Sequence, residues 1–386
     1  MQIDFALPER LGTWRQALNE RAELSWQEFE TQAYLLAQLR ELGLSPRVAA
    51  GTGVVVDIDS GHDGACIAFR ADMDALPFPA ADGAPMAAWH GCGHDMHMAI
   101  LLGLASELVT KVRARLRGRV RLIFQPAEEV LGHDSGARRL IAEGALVEPS
   151  VSRIYALHVS PRFPVGHVAY RSGAFMSESL RIRLSVRGGG GHSAMSGPDG
   201  DTVLALSRAI AALTGGAVVD ESIGGTCSFC TIGGGTAANV RPTLVHAEGI
   251  IRSPHAGGAL RHGRRLLDIV EQLATEHPSL SIQLELGDGY PLLVNSDAVD
   301  RTVMTALTAA VGADAVHSMA QPSPASEDFG AYVARCPGAM FLLGTRADDS
   351  ASRAPLHTRD FRGPDEVLAT GVRCFLALTE QELGER

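Results

Sequence analysis

The sequence predicts an α/β protein built on a mostly parallel sheet flanked by helices, with a smaller α+β unit inserted into it. Strands alternate with helices up to about residue 157, which is typical of a sheet with helices on both faces. Near Leu180 the pattern changes to strands with one polar face, and the buried pattern returns after Tyr290. We therefore expect a discontinuous larger domain of residues 1–178 and 290–386, interrupted by an inserted domain of residues 179–289.

The elements of the larger domain follow from their apolar spacing. Helical spacing runs through residues 10–42 and ends at Gly43, a common helix stop. The later elements alternate, and in chain order they are a strand at 54–58, a strand at 65–69, a helix at 98–112, a strand at 120–124, a helix at 135–143, a strand at 153–157 and, after the insertion, a strand at 339–343.

The inserted domain begins with a strand that is half exposed. Ile182, Leu184 and Val186 alternate with arginines, so one face is apolar and the other is charged. Such strands form antiparallel sheets that carry helices on one face. The elements that follow are a helix at 202–213, strands at 227–232 and 244–251, a helix at 258–275 and a strand at 280–286.

Composition excludes several classes of protein. The 386 residues are 46% hydrophobic and 20% charged, as in globular proteins, and the net charge of -10 argues against nucleic acid as a partner. No apolar stretch is long enough for a membrane span, and the N-terminus lacks the apolar core of a signal peptide. Six scattered cysteines favour a reducing compartment, so we expect a cytoplasmic protein. Cys227-x-x-Cys230 lies in a predicted strand; a redox or zinc motif is the alternative to plain strand cysteines.

The segment His90-Gly-Cys-Gly-His-Asp-Met-His97 carries the clearest chemical signal. It packs three imidazoles, a thiol and a carboxylate into eight residues, a density that a buried core would not accept without partners. A metal ion satisfies them together, and Cys92 and His94 suit zinc and also accept manganese, cobalt or nickel. The alternative is a buried cysteine beside a helix-capping histidine.

Acidic and histidine residues follow three of the predicted strands. Asp72 and Asp74, the pair Glu128-Glu129, and His158 all come directly after strand ends. Ligands gather at the carboxyl ends of strands in open α/β sheets, so these groups are expected to form one site. The two glutamates diverge, which lets one bind metal while the other carries protons. Their alternative is a place in the first turn of the next helix.

Other candidates are ambiguous on their own. His158 on its own is more typical of a satisfied core histidine than of a ligand, and His357 is just as weak a signal alone. His192 follows four glycines and sits at the tip of a turn, where it is either functional or incidental. Asn239 and Arg252 flank a predicted strand of the inserted domain and could hold a carbonyl and a carboxylate, although each on its own is more typical of a surface residue.

Together the motifs resemble the dinuclear metallohydrolases related to aminoacylase-1 and carboxypeptidase G. The closer match is to auxin-conjugate hydrolases, hippurate hydrolases and N-acyl amino acid deacetylases. The matching motifs run in family order: Arg70-Ala-Asp-Met-Asp-Ala-Leu-Pro77, His90–His97, Phe124-Gln-Pro-Ala-Glu-Glu129, Ala156-Leu-His158, Gly190-Gly-His-Ser193, Ala238-Asn-Val-Arg-Pro242, Ser326-Glu-Asp-Phe329 and Pro355-Leu-His357.

The resemblance implies a catalytic domain that holds two divalent metal ions, zinc or manganese before cobalt or nickel, and an inserted lid that also dimerises. It implies a role for each candidate: Glu128 is the general base, Asp74 orients a ligand, and His192 reaches the scissile carbonyl from the lid. Asn239 and Arg252 contact the carbonyl and carboxylate of the substrate. The implied metal ligands are Cys92, His94, Glu129, His158 and His357.

The implied activity is metal-dependent hydrolysis of the amide bond of an N-acyl amino acid or a similar small amide. Two metals roughly 3.5–4 Å apart activate a water, and Glu128 accepts its proton. A dipeptidase or carboxypeptidase with the same site is the first alternative. A non-catalytic descendant that binds a metabolite is the second, and the presence of Glu128 with every expected ligand argues against it.

Overall fold

The computed structural model describes residues 4–78, 87–195, 200–214 and 225–384. The helices are α1 (Leu7–Asn19), α2 (Phe29–Glu41), α3 (His94–Glu107), α4 (Gly136–Ala142), α5 (Thr202–Thr214), α6 (Gly258–Glu276), α7 (Asp300–Val311), α8 (Gly330–Val333), α9 (Ser350–Arg353) and α10 (Glu366–Leu383). The strands are β1 (Arg47–Ala49), β2 (Gly53–Asp59), β3 (Cys66–Asp72), β4 (Leu76–Phe78), β5 (Ala87–Trp89), β6 (Arg119–Gln125), β7 (Val151–Pro164), β8 (Val168–Tyr170), β9 (Gly173–Met176), β10 (Glu178–Arg187), β11 (Gly191–His192), β12 (Thr226–Gly234), β13 (Val240–Arg241), β14 (Leu244–Ser253), β15 (Ser281–Leu286), β16 (Leu293–Asn295), β17 (Val316–Ser318) and β18 (Gly338–Arg346).

An eight-stranded sheet in the order β1-β2-β6-β3-β7-β18-β8-β17 forms the centre of the larger domain. Its four middle strands, β6, β3, β7 and β18, run parallel to one another. All seven residues of β3 are buried, as expected for a parallel strand that is covered on both faces. The predicted parallel sheet is confirmed for this centre. On one side β2 and β1 extend it by antiparallel pairing, and on the other side β8 joins β18 antiparallel and β17 joins β8 parallel.

Helices cover both faces of this sheet. Alternate residues of β3 contribute to two separate cores, because successive side chains point to opposite faces. Helix α3 is buried along its entire length and packs with α1 and α10 on one face, whereas α4 and α8 pack on the other. No helix within the described ranges is both long and apolar enough to cross a membrane.

The inserted unit is an antiparallel sheet in the order β12-β14-β10-β15, covered by α5 and α6. Strand β10 alternates as predicted, with Ile182, Leu184 and Val186 fully buried. Its hydrophobic core draws only on residues between Leu180 and Leu286. That separation supports the predicted boundaries at 178/179 and 289/290, which stay a prediction.

The chain crosses from the larger domain into the inserted unit near Ser179 and back near Tyr290, and these two crossings lie side by side. The Ser179 amide donates to the Tyr290 carbonyl at 3.0 Å, and the Tyr290 amide donates to the Ser179 hydroxyl at 3.0 Å. One step further into the inserted unit, the Arg181 amide donates to the Asp288 carbonyl at 2.9 Å. The connection between the two units, which we call the hinge, is therefore one hydrogen-bonded ribbon made of both crossings.

Several predicted elements differ in their bounds. The helical spacing of residues 10–42 is divided between α1 and α2, because residues 20–28 leave the helix to reach the site described below. Strand β7 does not end at Leu157 but continues to Pro164, since β18 pairs with it beyond His158. Helix α3 begins earlier than predicted, at His94. Cys227 and Cys230 are free thiols of β12, which confirms them as strand cysteines.

Candidate metal centre and active site

The structure brings the five predicted ligands together at the carboxyl ends of the central strands. The Cys92 thiol lies 3.3 Å from Nε2 of His158 and 3.2 Å from Nε2 of His357. Glu129 Oε1 lies 3.6 Å from Nε2 of His357 and 4.0 Å from Nε2 of His94. Their ligand atoms form two groups within 4.8 Å, Cys92-His94-His158 and Cys92-Glu129-His357, and both contain Cys92.

Gly93 determines how Cys92 and His94 point into the same space. Its φ of +83° is left-handed, and a Cβ there would lie 2.4 Å from Cγ2 of Val159. A residue with a side chain is thus excluded by both backbone conformation and space. The tight turn at Gly93 ends where α3 begins, so His94 is presented from the first turn of a rigid, buried helix.

Hydrogen bonds leave the Nε2 atoms of two histidines available to a cation. Nδ1 of His94 donates to the Asp74 carbonyl at 2.8 Å, and Nδ1 of His158 donates to the Val159 carbonyl at 2.7 Å. With Nδ1 donating, Nε2 is the ring atom that a cation can reach. Among the described residues, Nε2 of His94 and Oε1 of Glu129 are buried without a hydrogen-bond partner. Thiol, imidazole and carboxylate groups together fit divalent transition-metal ions.

His97 and Asp72 support the candidate metal centre through hydrogen bonds, a role that was not assigned to them from the sequence. The Val159 amide donates to Nε2 of His97 at 3.0 Å, so Nδ1 of His97 carries the proton and donates to Asp72 at 2.6 Å. Both ring nitrogens are therefore in use. Asp72 also lies 3.5 Å from Nε2 of His94. The signal was present, because His97 belongs to the His90–His97 segment and Asp72 shares a strand end with Asp74.

Asp74 contacts two of the predicted ligands, which agrees with the orienting role expected of it. Its carbonyl accepts from His94, and its Oδ2 accepts from the Glu129 amide at 3.0 Å. The same Oδ2 accepts from the Ser25 hydroxyl at 2.6 Å. The side chain is fully buried, and its pKa is lowered because these hydrogen bonds outweigh the effect of burial.

Glu128 and Glu129 were expected to diverge, but a carboxylate oxygen of each lies within 4.8 Å of the other and of a ring nitrogen of His94. They precede α4, which begins only at Gly136, so the interpretation of both as first-turn helix residues is wrong. Glu128 lies within 4.8 Å of Glu327 and Asp328. Burial, and then the charge of Glu327, raises the pKa of Glu128 well above its usual range. The Tyr290 hydroxyl, from the hinge, donates to the Glu128 carbonyl.

A buried arginine stands behind these carboxylates. Arg70 is fully buried and binds Asp72 at 2.8 Å, Glu327 at 2.9 Å and Asp328 at 2.9 Å. Its Nε also donates to the Gln125 side chain at 2.9 Å. One guanidinium thus joins β3, β6 and the 327–328 segment into a single charged network. The sequence offered these residues only as parts of the quoted motifs.

The three predicted lid residues lie in two places. His192 pairs with Val240 in the two-stranded sheet of β11 and β13, and the Ser193 amide donates to the carbonyl of Asn239. His192 and Asn239 are thus neighbours, both exposed, and neither belongs to the groups of ligand atoms found among the described residues. Arg252 instead faces the larger domain, where it donates to the Ser326 hydroxyl at 3.3 Å. Its charge contributes, after burial and His94, to lowering the pKa of His357.

We expect metal affinity to rise between pH 6 and pH 8. Burial raises the pKa of Cys92 to about 12 and that of Glu129 to about 7. Burial alone would lower the pKa of His94, but the charge of Asp72 and the hydrogen bonds of the ring outweigh burial and raise this pKa well above its usual range. A cation must therefore displace protons from all three. His158 and His357, with pKa values lowered by burial to about 3 and about 4, are already neutral. Affinity should increase about tenfold per pH unit for each proton displaced. Titration of the metal-free protein with Mn²⁺ or Zn²⁺ at each pH measures it; a flat profile would contradict the assignment.

Comparison with known proteins agrees with the metal centre that the geometry indicates. Residues 68–381 match the model of peptidase family M20/M25/M40. An N-acetyl-L-cysteine deacetylase of Bacillus subtilis is 34% identical over 89% of this chain and 82% of its own length. Thermostable carboxypeptidase 2 of Saccharolobus solfataricus is 30% identical over 93% and 91%. A dinuclear metal-binding M20 peptidase from Bacillus subtilis superposes with a TM-score of 0.75, 28% identity and coverage of 97% and 98%.

These likenesses extend over almost the whole chain and over both structural units. They accompany a cluster of ligand atoms that suits two divalent ions. The chain therefore belongs to peptidase family M20/M25/M40 and is a metal-dependent amidohydrolase.

Proposed function

We propose that this enzyme removes the acyl group from an N-acyl amino acid at a centre of two divalent ions. The observation that carries the proposal is the pair of ligand groups that share the Cys92 thiol. Cys92, His94 and His158 would hold one ion, and Cys92, Glu129 and His357 the other. When bound, two such ions lower the pKa of a coordinated water and polarise the amide carbonyl.

Glu128 is the proton carrier in this proposal. Its carboxylate lies between two sets of groups, with His94 and Glu129 on one side and Glu327 and Asp328 on the other, each set within 4.8 Å. It accepts the proton of the attacking water and delivers it to the leaving amine. Burial and the neighbouring carboxylates stabilise its protonated form, which favours that second transfer once the first has occurred.

The lid residues would bind the substrate. Arg252 is partly buried, donates to Ser326 of the larger domain and offers a guanidinium, which suits the carboxylate of an amino acid. His192 on β11 and Asn239 in the turn before β13 are exposed neighbours in the lid, where they can contact the scissile carbonyl as negative charge develops on its oxygen. Closure of the lid would bring that pair to the metal centre.

A carboxypeptidase or dipeptidase is the second candidate. It is favoured by the similarity to a thermostable carboxypeptidase and by Arg252, since peptide substrates carry the same terminal carboxylate. A metabolite-binding protein without activity is disfavoured, because the free carboxylate of Glu128 beside the ligands has no use in simple binding.

We further propose a cytoplasmic homodimer that uses zinc or manganese. The thiol of Cys92 favours zinc, and the carboxylates suit manganese. Within the described residues, β12 forms one edge of the lid sheet, and Ile232 on it is 71% exposed. An exposed nine-residue edge strand offers backbone groups to the same strand of a second copy. Sedimentation equilibrium distinguishes a dimer from a monomer.

A substrate panel tests the proposed function. The purified protein, loaded with Mn²⁺ or Zn²⁺, is incubated with N-acetyl and N-benzoyl amino acids and with dipeptides, and released amines are quantified before and after chelation. We expect about two metal ions per chain by elemental analysis and chelator-sensitive release from the acylated amino acids. Release from dipeptides alone would favour the carboxypeptidase; no release with two metals bound would overturn both candidates.

A further inference from the structure

Glu28 is a buried carboxylate whose cost of burial the metal site does not explain. It is fully buried, and no ion pair involves it among the described residues. Burial raises its pKa to about 7. Burying a carboxylate without a cationic partner is unfavourable unless hydrogen bonds compensate for the lost water. Glu28 is also outside the stretch of residues 68–381 that matches the family model.

The two oxygens of Glu28 have specific backbone and side-chain donors. Oε1 accepts from the Ala127 amide at 2.9 Å, and Oε2 accepts from the Thr52 hydroxyl at 2.6 Å. Thr52, itself buried, holds the carboxylate in place, and the carboxylate in turn holds the peptide that precedes Glu128. Hydrogen bonds to a carboxylate are among the stronger ones in proteins.

Ala127 has a backbone conformation that needs such support. Its φ is +48°, in the left-handed region that costs a non-glycine residue about 1–2 kcal/mol. Its carbonyl accepts from the Gly136 amide at 3.0 Å, so the residue is held from both sides. The left-handed turn lies immediately before Glu128 and Glu129.

The rest of the segment to which Glu28 belongs contacts the other side of the site. The Ala75 amide donates to the Glu23 carbonyl at 2.8 Å, and the Ser25 hydroxyl donates to Asp74 at 2.6 Å. The connection between α1 and α2 therefore reaches both the 127–129 segment and the Asp74 strand end. These contacts explain why the connection departs from the helical pattern of residues 10–42.

We infer that Glu28 is a positioning residue: it holds Ala127 in its left-handed conformation and so positions the carboxylate of Glu128, the residue that follows. The inference rests on the proposed function, because it concerns the same general base. Without the carboxylate, Ala127 relaxes toward the right-handed region and the Glu128 carboxylate moves out of line. Glu28 touches neither substrate nor metal, so its loss affects turnover through Glu128.

The test uses Glu28→Ala, Glu28→Gln and Ala127→Gly, with the amide that the wild type hydrolyses fastest in the panel. We expect Glu28→Ala to lower kcat about 10-fold or more, with KM and metal content unchanged. Glu28→Gln, whose amide oxygen still accepts from Ala127, should stay within about threefold of the wild type. Glycine tolerates the left-handed region. The double variant Glu28→Ala/Ala127→Gly should therefore have a kcat at least about threefold higher than that of Glu28→Ala alone.

The rescue separates positioning from simple destabilisation. Glu107→Ala is the matched control: Glu107 is buried and accepts from the Asp4 amide at 3.2 Å at the far end of α3. It should lower thermal stability without changing kcat. If Glu28→Ala is insoluble, Thr52→Val, which removes the other anchor of Glu28, takes its place in the same comparison.

Two outcomes overturn the inference: a kcat for Glu28→Ala within twofold of the wild type, or a loss that Ala127→Gly does not relieve. A wild type that hydrolyses no amide would instead overturn the proposed function. The two failures are therefore distinguishable.

Discussion

Replacing Glu128 with glutamine is expected to lower kcat by about 10²- to 10⁴-fold while two metal ions stay bound. Glutamine keeps the size of the side chain but cannot accept the proton of a water at neutral pH. The proposed ligands, including the neighbouring Glu129, are unchanged, so elemental analysis should give the wild-type metal content. KM should change little, because Glu128 carries protons and does not anchor the substrate.

Glu382→Gln is the matched control for this variant. Glu382 is a largely buried glutamate of α10, remote from the ligands, that accepts from the Tyr155 hydroxyl at 2.5 Å. Its replacement should leave kcat unchanged. If Glu128→Gln kept a tenth or more of the wild-type kcat, another group would have to be the base. If it lost metal as well, Glu128 would be a ligand and not a free proton carrier.

Replacing Arg70 with methionine is expected to destabilise the larger domain by about 3–5 kcal/mol. Arg70 neutralises Asp72, Glu327 and Asp328, all of which are buried. Methionine fills part of the volume but removes the guanidinium that the three carboxylates share, and only Asp72 keeps the neighbouring imidazoles of His94 and His97. Urea unfolding followed by circular dichroism measures the loss, and metal content should fall as well, because Asp72 lies against His94 and His97.

The control for Arg70→Met is Arg119→Met on β6. Arg119 also pairs with an aspartate, Asp59, but its side chain is 34% exposed and that of Asp59 is 44% exposed. Water replaces such a pair easily, so a change of at most about 1 kcal/mol is expected. Equal effects of the two substitutions would show that the Arg70 network contributes no more than a surface ion pair.

The strands and helices of this chain were predictable because their apolar spacing is local information. The ends of the elements were less predictable, because they depend on contacts between segments that are distant in the sequence. Strand β7 passes through His158 because β18 offers it a partner strand, which a window of residues around position 158 does not reveal. Residues 20–28 leave the helical pattern for contacts with Ala75 and Ala127, far along the chain.

The residues that cluster in the candidate metal centre were predictable for a similar reason, and the residues that support them were not. Cys92 and His94 come in one short segment, and Glu129 follows a strand, so residue type and position suffice. Glu28 supports the site from about a hundred residues away, through a backbone amide that any residue would offer at position 127. Arg70 has meaning only with Glu327 and Asp328, which approach it through the fold.

The ribbon at the hinge has a consequence for how the molecule was assembled. Both crossings are hydrogen-bonded to each other, from Ser179 with Tyr290 to Arg181 with Asp288. The larger domain is therefore connected to the insertion as it would be to a β-hairpin, except that a unit with its own core takes the place of the hairpin turn. Chain ends this close allow a unit to be gained, lost or exchanged without refolding its host. The lid is thus the part of this architecture that evolution and protein engineers can most readily replace, while the metal-binding framework stays as it is.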